Sequence, residues 1–439
     1  MVAVEQGASA LAGGRPSKSL PLWMLVQLSL YWLGLSLIFS ALDTVVLPER
    51  FTGLVESGSV NLAVGVLSFC GAIVAVIVQP TIGSISDYTM TRWGRRKPYI
   101  LIGSTLDIIF LAGLATSNTF LTITAFYMLL QFSSNFAQGP FQGYVPDLVP
   151  AQQVGIASAL VGIMSVVGPV TGVIIASIPL SLANGATPDF TAVTIALGVI
   201  ELTTAVATVI SVDEGRAAKD RQGRSWRTIA VETWGRDVLR QRSFVYLVAS
   251  RLFILAGVAM FVREADLYLH YVIGMDTNDR GLWVKVAALV LGVTVALVCL
   301  PAARLSDRLG RKPLIFAACA IGAAGSAIVL VAPTVQVAIA GGVVIGIASG
   351  IFVAVDWALM SDIIPKADAG RYMGLSNVAT GLSGTVAVAS AGLLVFALTG
   401  LLGEDVLGPA TRLAFALAMG FFGLGALLLR PVDPTRRED

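Results

Sequence analysis

Histidine occurs once in these 439 residues, cysteine three times, and charged side chains make up only 13% of the chain. A single imidazole, His270, leaves no histidine-based metal cluster and no serine-histidine triad, and its ordinary role is structural or solvated. Cys70, Cys299 and Cys319 all lie inside apolar stretches; an odd number so placed builds no disulfide framework and reads as core packing. The 29 Lys and Arg nearly balance the 27 Asp and Glu, a formal charge of +2, so net charge calls for no nucleic acid and no acidic partner. No phosphate-cradling glycine loop occurs at a useful spacing. No cofactor, no metal and no enzymatic chemistry are expected.

What the chain has is apolar surface. Hydrophobic residues make up 56% and the mean hydropathy is +0.83, well outside the range of soluble domains. A helix needs roughly 20 apolar residues to cross a bilayer core of about 30 Å. Twelve such stretches are predicted, at 22–47, 60–86, 98–117, 119–146, 155–182, 190–212, 243–273, 282–304, 313–332, 335–361, 372–400 and 408–430. The first is too long for a signal peptide and lacks a small-residue cleavage pattern. The fold class expected is therefore an all-α membrane protein with twelve transmembrane helices in two pseudo-symmetric six-helix bundles.

That division gives a tail at 1–21, a bundle at 22–212, a basic linker at 213–242, a second bundle at 243–430 and a tail at 431–439. Within the linker, Trp226 to Leu239 reads as an amphipathic surface helix or as a solvated connector. Most Lys and Arg fall in the tails, the linker and the even-to-odd loops, with Arg50 and Arg280 on the opposite side. This asymmetry predicts cytoplasmic ends in a multi-pass protein of the plasma (inner) membrane.

The halves repeat. Gly83 to Pro98 contains S-D-Y-T-M-T-R-W-G-R-R-K-P, and Ala303 to Pro313 reads A-R-L-S-D-R-L-G-R-K-P. Asp147-Leu-Val-Pro with Gly155 recurs as Asp362-Ile-Ile-Pro with Gly370, at almost the offset of Gly94 and Gly310. Two related halves with a charged hairpin at the same place form the architecture of an alternating-access transporter.

These residues resemble the major facilitator superfamily, whose hairpin between helices 2 and 3 carries G-x-x-x-D-R-x-G-R-R/K. The second copy fits apart from Ala303 in the leading glycine position. The first, lengthened by four residues between Asp87 and Gly94, is similar to sucrose/proton symporters and the glycoside-pentoside cation symporter branch. Leu42 to Pro48, Val355 to Leu359 and Gly370 to Asn377 extend the likeness. The resemblance implies a cytoplasmic gate in which a carboxylate ending helix 2 meets a helix amino terminus and Arg95 or Arg96 reaches Asp147. Its members here are Asp87, Arg95, Arg96 and Asp147, with Asp307, Arg308, Arg311 and Asp362 in the second half. The same charges also read as topology signals.

Polar groups at membrane depth mark candidate solute positions. Gln131, Asn135, Gln138 and Gln142 share one face of the fourth span, and amides both donate and accept, as sugar hydroxyls require. They serve equally well as bonds between helices. Gln27 and Tyr31 join them from the first span, beside Trp32, which also reads as an interfacial aromatic. Asp356 and Trp357 belong to the tenth span, which lines the cavity in the family resembled. Asp43, Glu201, Arg263, Glu264, Asp266 and Asp356 are the proton-coupling candidates; Arg263 and Asp266 can pair on one turn, and Asp43 can meet Arg263 as an outer gate. Gly168-Pro169-Val170-Thr171-Gly172 partly resembles an element of drug/proton antiporters. The expected function is proton-coupled symport of a sugar or glycoside, acting as a monomer in the lipid bilayer. The alternative is a drug or metabolite exporter working by proton antiport.

Overall fold

Backbone groups surrounded by lipid must bond within their own segment, and a helix achieves this locally. The computed structural model describes residues 18–56, 60–182, 189–214, 221–235, 237–275, 277–365, 368–402 and 407–435, and among these it is helical with no strand. Twelve long helices appear among the described residues. The first, α1, runs Leu22–Ala41 and continues through a π-helical turn, Leu42–Val46, into Leu47–Phe51. It is followed by α2 (Val60–Asp87), α3 (Lys97–Thr116), α4 (Phe120–Gln142), α5 (Val154–Ala176) and α6 (Thr191–Ser211). The remaining six are α7 (Arg242–Tyr271), α8 (Thr277–Leu309), α9 (Arg311–Val331), α10 (Val335–Ile363), α11 (Ala369–Leu402) and α12 (Leu407–Leu429).

Eleven helices among the described residues are long and apolar enough to cross a membrane. The long helix outside that set is α4, whose apolar run is interrupted by Gln131, Ser133, Ser134 and Asn135. Several helices outrun their apolar stretches, α8 and α11 at both ends, because backbone hydrogen bonding does not stop where hydrocarbon does. The predicted 155–182 span instead divides at Ser177 into α5 and a short Ile178–Leu182 helix. The linker helix is also shorter than expected, Trp226–Glu232 with a separate turn at Asp237–Arg240. It ends because Arg371 takes its last carbonyls, Nη2 donating to Glu232 O at 2.7 Å and Nε to Thr233 O at 2.9 Å.

Contacts divide the chain into two compact units. The first comprises residues up to Gly235 together with Ile364–Val378, so it includes the first turns of α11; the second comprises Arg236–Ile363 and Ala379–Thr435. Within the first, α6 packs on α1 and α3, and α4 on α2 and α3. Within the second, α12 packs on α7 and α9, and α10 on α8 and α9, which is the same pairing six helices later. The α1–α5 crossing is set by glycine: a Cβ on Gly168 would lie 2.7 Å from Leu33 O, and one on Gly172 would lie 2.2 Å from Leu37 O. The antiporter-like string on α5 thus has a packing role here. The first unit's apolar core centres on Leu37, Ile38, Leu42, Leu111, Leu130 and Leu197.

Both hairpin glycines turn the chain through positive φ, Gly94 at +116° and Gly310 at +88°. An L side chain rarely adopts that conformation, so each copy needs glycine before its helix begins.

Candidate functional site

The first hairpin organises a buried charge cluster. Arg96 is wholly buried, and its Nη2 lies 2.9 Å from Asp87 Oδ1 and 2.7 Å from Asp147 Oδ2. Its Nη1 donates to Pro140 O at 2.9 Å, while Arg95 forms a second ion pair with Asp147. Burial, with Arg95 beside it, pulls the Arg96 guanidinium down to about 10, so it remains cationic at neutral pH. Its path lies directly over Gly143, where a Cβ would fall 1.1 Å from Nη1. Asp87 also lies against the first turn of α11, its Oδ1 3.0 Å from the place a Cβ on Gly370 would take.

A residue outside the expected gate completes the cluster. Glu214, just beyond α6, accepts the backbone N–H groups of Arg95 at 2.6 Å, Arg96 at 2.8 Å and Lys97 at 3.0 Å, and the Tyr144 hydroxyl at 2.5 Å. A carboxylate there satisfies orphan donors at the start of α3 and complements its dipole. A Cβ on Gly94 would lie 2.6 Å from Glu214 Oε2, so this glycine provides room as well as the turn.

The α4 amides form a continuous hydrogen-bonded row. Asp43 on the π-turn of α1 accepts from the Tyr127 hydroxyl at 2.9 Å, and Tyr127 accepts from Gln131 Nε2 at 2.9 Å. Asn135 Nδ2 donates to Gln131 Oε1 at 3.2 Å, and Gln79 of α2 bonds Asn135 and, at 3.2 Å, Gln138. Gln79 Oε1 in turn accepts from Gln142 at 3.3 Å and from Asn377 of α11 at 2.7 Å. Gln131, Asn135 and Gln142 are buried and Gln138 half-buried. The amides thus bond one another, α2 and α11. Gln142 Oε1 and Gln27 Oε1 are buried acceptors with no partner among the described residues.

Tyr31 faces inward rather than towards open space. It is 0% exposed, its ring packs edge-on to Phe141, and its hydroxyl lies 2.8 Å from Ser104 Oγ. Ser104 also donates to Glu201 at 2.8 Å, tying α1, α3 and α6 together.

In the second unit, Asp356 is paired with Arg251 of α7 at 3.1 Å, both within 4% of complete burial, and Arg251 lies 5.4 Å from the Trp357 ring centre. Arg311 and Asp362 pair at 3.0 Å, reproducing the arginine–aspartate contact of the first hairpin, while Asp307 and Arg308 are exposed. On α7, Glu264 is buried and Arg263, Asp266 and His270 are exposed. No ion pair joins Arg263 to Asp266 among the described residues; Arg263 Nη2 instead lies 3.8 Å from the place a Cβ on Gly384 of α11 would take.

A profile of the Major Facilitator Superfamily matches residues 24–388 and 285–439. The chain belongs to the major facilitator superfamily. It is a multi-pass membrane transporter rather than an enzyme, and transporters of this family carry small solutes. Among curated proteins it is 29% identical over 118 residues to the membrane-associated transporter protein of Homo sapiens, covering 23% of this chain and 22% of that one. It is 30% identical over 113 residues to sucrose transport protein SUT1 of Oryza sativa subsp. japonica, covering 21% of each. It is 30% identical over 141 residues to the lactose permease of Leuconostoc lactis, covering 28% of this chain and 22% of the permease. These matches span about a fifth of the relatives' own length.

Among solved structures, the human organic anion transporter MFSD10 superposes with a TM-score of 0.71 at 16% identity, over 94% of this chain and 100% of that one. The proton:xylose symporter XylE gives 0.61 at 16% identity, over 95% of this chain and 96% of its own. At such identity the likeness is one of fold. Against that fold, Gln79, Asn377, Tyr127, Arg251, Asp107 and Glu214 are the residues that sequence reasoning passed over. Gln79 and Asn377 were findable as polar residues within apolar helices, whereas Glu214 reads as one more charge in a polar linker.

Proposed function

We propose that this superfamily member carries a small polar solute, a sugar or glycoside, in symport with protons by alternating access. It acts as a monomer in the plasma membrane, with its termini and basic linker on the cytoplasmic side. The observation that carries the reading is the α4 amide row, which starts at a carboxylate and presents Gln142 Oε1 as a buried acceptor without a partner among the described residues. Hydroxyl groups of a sugar can donate to such an acceptor and exchange with amide partners at little net cost. Gln131, Asn135, Gln138 and Gln142 are the solute residues of α4, with Gln27 and Tyr31 of α1 as further candidates in the first unit and Asp356 and Trp357 as those of the second. Similarity to sucrose transport proteins and a lactose permease supports the solute class.

Asp43, at the head of the row, is the first coupling candidate on geometry, with Asp356 and Glu264 next and Glu201, Arg263 and Asp266 behind. One charge crossing the membrane is worth about 2.3 kcal/mol per 100 mV, enough for roughly 50-fold accumulation. Asp87, Arg95, Arg96 and Asp147, matched by Arg311 and Asp362 with Asp307 and Arg308, form the cytoplasmic gate. Proteoliposomes holding a pH-sensitive dye and challenged with a panel of sugars test the reading. Inward uptake that alkalinises the outer medium supports symport; proton release by lipophilic cations alone makes the protein an exporter.

A further inference from the structure

Two carboxyl groups of the first unit lie apart from both the charge cluster and the amide row. Asp107 of α3 and Glu201 of α6 are each 0% exposed. Asp107 accepts from Ser133 Oγ and, at 2.7 Å, from Ser134 Oγ; Glu201 accepts from Ser104 Oγ at 2.8 Å. Neither has an arginine, lysine or histidine partner among the described residues, and their charges act on one another. Glu201 Oε2 is buried with no hydrogen-bond partner among the described residues. The titratable groups facing the pair are Tyr31 from α1 and the two carboxyls themselves; α4 contributes only hydroxyls.

Close helix crossings leave little room for anything large. A Cβ on Gly34 of α1 would lie 2.9 Å from Glu201 Cα, and one on Gly103 of α3 would lie 2.6 Å from Ser133 O. Two like charges so buried cost several kcal/mol per ion without a cation. The ligand small enough to remove that cost is a proton, which needs only a carboxylate oxygen and displaces no helix.

We propose that Asp107 and Glu201 form a buried proton-binding pair that serves as a coupling site in addition to Asp43, an inference that rests on the proton-symport reading. The path to the solute residues is α4. Ser133 and Ser134 hold Asp107, while Gln131 and Asn135 hold the amide row; Ser133 is turned roughly 160° from both amides, and Ser134 roughly 60° from Gln131 and roughly 100° from Asn135. Gain or loss of the proton changes which Asp107 oxygen accepts from Ser133 and Ser134, and so biases the rotation of α4 that aligns the amides.

The full-length protein in proteoliposomes tests this with two readouts. Infrared difference spectra across a pH titration should show buried carboxylic-acid bands, one lost in Asp107→Asn and one in Glu201→Gln, with each variant displacing the survivor's titration by about one pH unit. Both variants should retain solute exchange without a gradient and lose accumulation about tenfold or more. Ser134→Ala keeps both carboxyls and should shift the Asp107 band frequency, which covers the case of an Asp107→Asn protein that does not fold. A spectrum without titrating carboxyl bands, bands that follow sodium rather than pH, or variants that accumulate solute like the parent protein would each overturn the proposal. A parent protein that moves no protons with any solute ends the symport reading instead; the infrared titration then decides by itself whether the pair binds protons.

Discussion

Asn377 of α11 donates to Gln79 of α2 at 2.7 Å, joining residues 298 positions apart within the first unit. The bond forms where the two backbones touch. A Cβ on Gly83 would lie 2.6 Å from Gly370 O, and one on Gly370 would lie 2.6 Å from Gly83 O, so no side chain can separate the helices there. Gln79 therefore links the α4 amides to the first turns of α11.

Gln79→Ala and Asn377→Ala should each weaken the first unit, and the pair should be non-additive by about 1 kcal/mol, the worth of one hydrogen bond between neighbours. Thermal melts of both single variants and the double variant measure it. Simple addition of the two single effects would detach Asn377 from the row.

Gly143→Ala forces Arg96 out of the position that pairs Asp87 with Asp147, because the new Cβ would sit 1.1 Å from Nη1. Leaving buried carboxylates without their cation costs about 3–5 kcal/mol. The variant should melt far below the parent protein and fail to transport. Arg96→Lys should rescue little, since one ammonium cannot reproduce contacts to two carboxylates and a carbonyl.

Glu214→Ala removes an acceptor from three backbone donors at the start of α3 and should cost about 1–2 kcal/mol. Glu214→Gln, which keeps an acceptor oxygen but not the charge, should fall between the parent protein and the alanine variant. Hydrogen exchange at Arg95, Arg96 and Lys97 reads the effect locally; unchanged protection of those three amides in Glu214→Ala would remove the capping role.

Asp356→Asn strands Arg251 beside the Trp357 ring and should destabilise the second unit by about 3–5 kcal/mol, whereas Arg251→Met with Asp356→Leu should recover most of that loss. Uptake assays on the double variant separate the roles. Restored stability with no accumulation keeps Asp356 as a coupling residue; restored stability with normal accumulation makes the pair structural.

Tyr127→Phe cuts the hydroxyl link between Asp43 and Gln131 while keeping ring volume. It should lower solute affinity and alter the pH profile of uptake, with loss of one hydrogen bond worth about 1 kcal/mol, or roughly fivefold in affinity. An unchanged pH profile would mean that Asp43 acts without the α4 row.

Much of the fold was open to sequence reasoning because its causes are local. Apolar length sets a crossing helix, and Gly94 and Gly310 mark the paired turns by their need for positive φ. The α4 row was visible as a four-residue and three-residue spacing, since helix periodicity fixes which side chains share a face. Its partners were not: Gln79 and Asn377 become neighbours only when α2 and α11 cross at glycine.

The sequence by itself determined that this is a helical membrane protein with a repeated half, because burial of apolar length and closure of backbone bonds are decided segment by segment. Tertiary structure alone decided that Glu214 caps α3, that Arg251 answers Asp356, that Tyr31 is enclosed, and that Asp107 and Glu201 lie buried on serine hydroxyls. Those facts depend on which helices meet and how closely. Close approach is set by glycine packing between distant segments, which no spacing along one helix encodes.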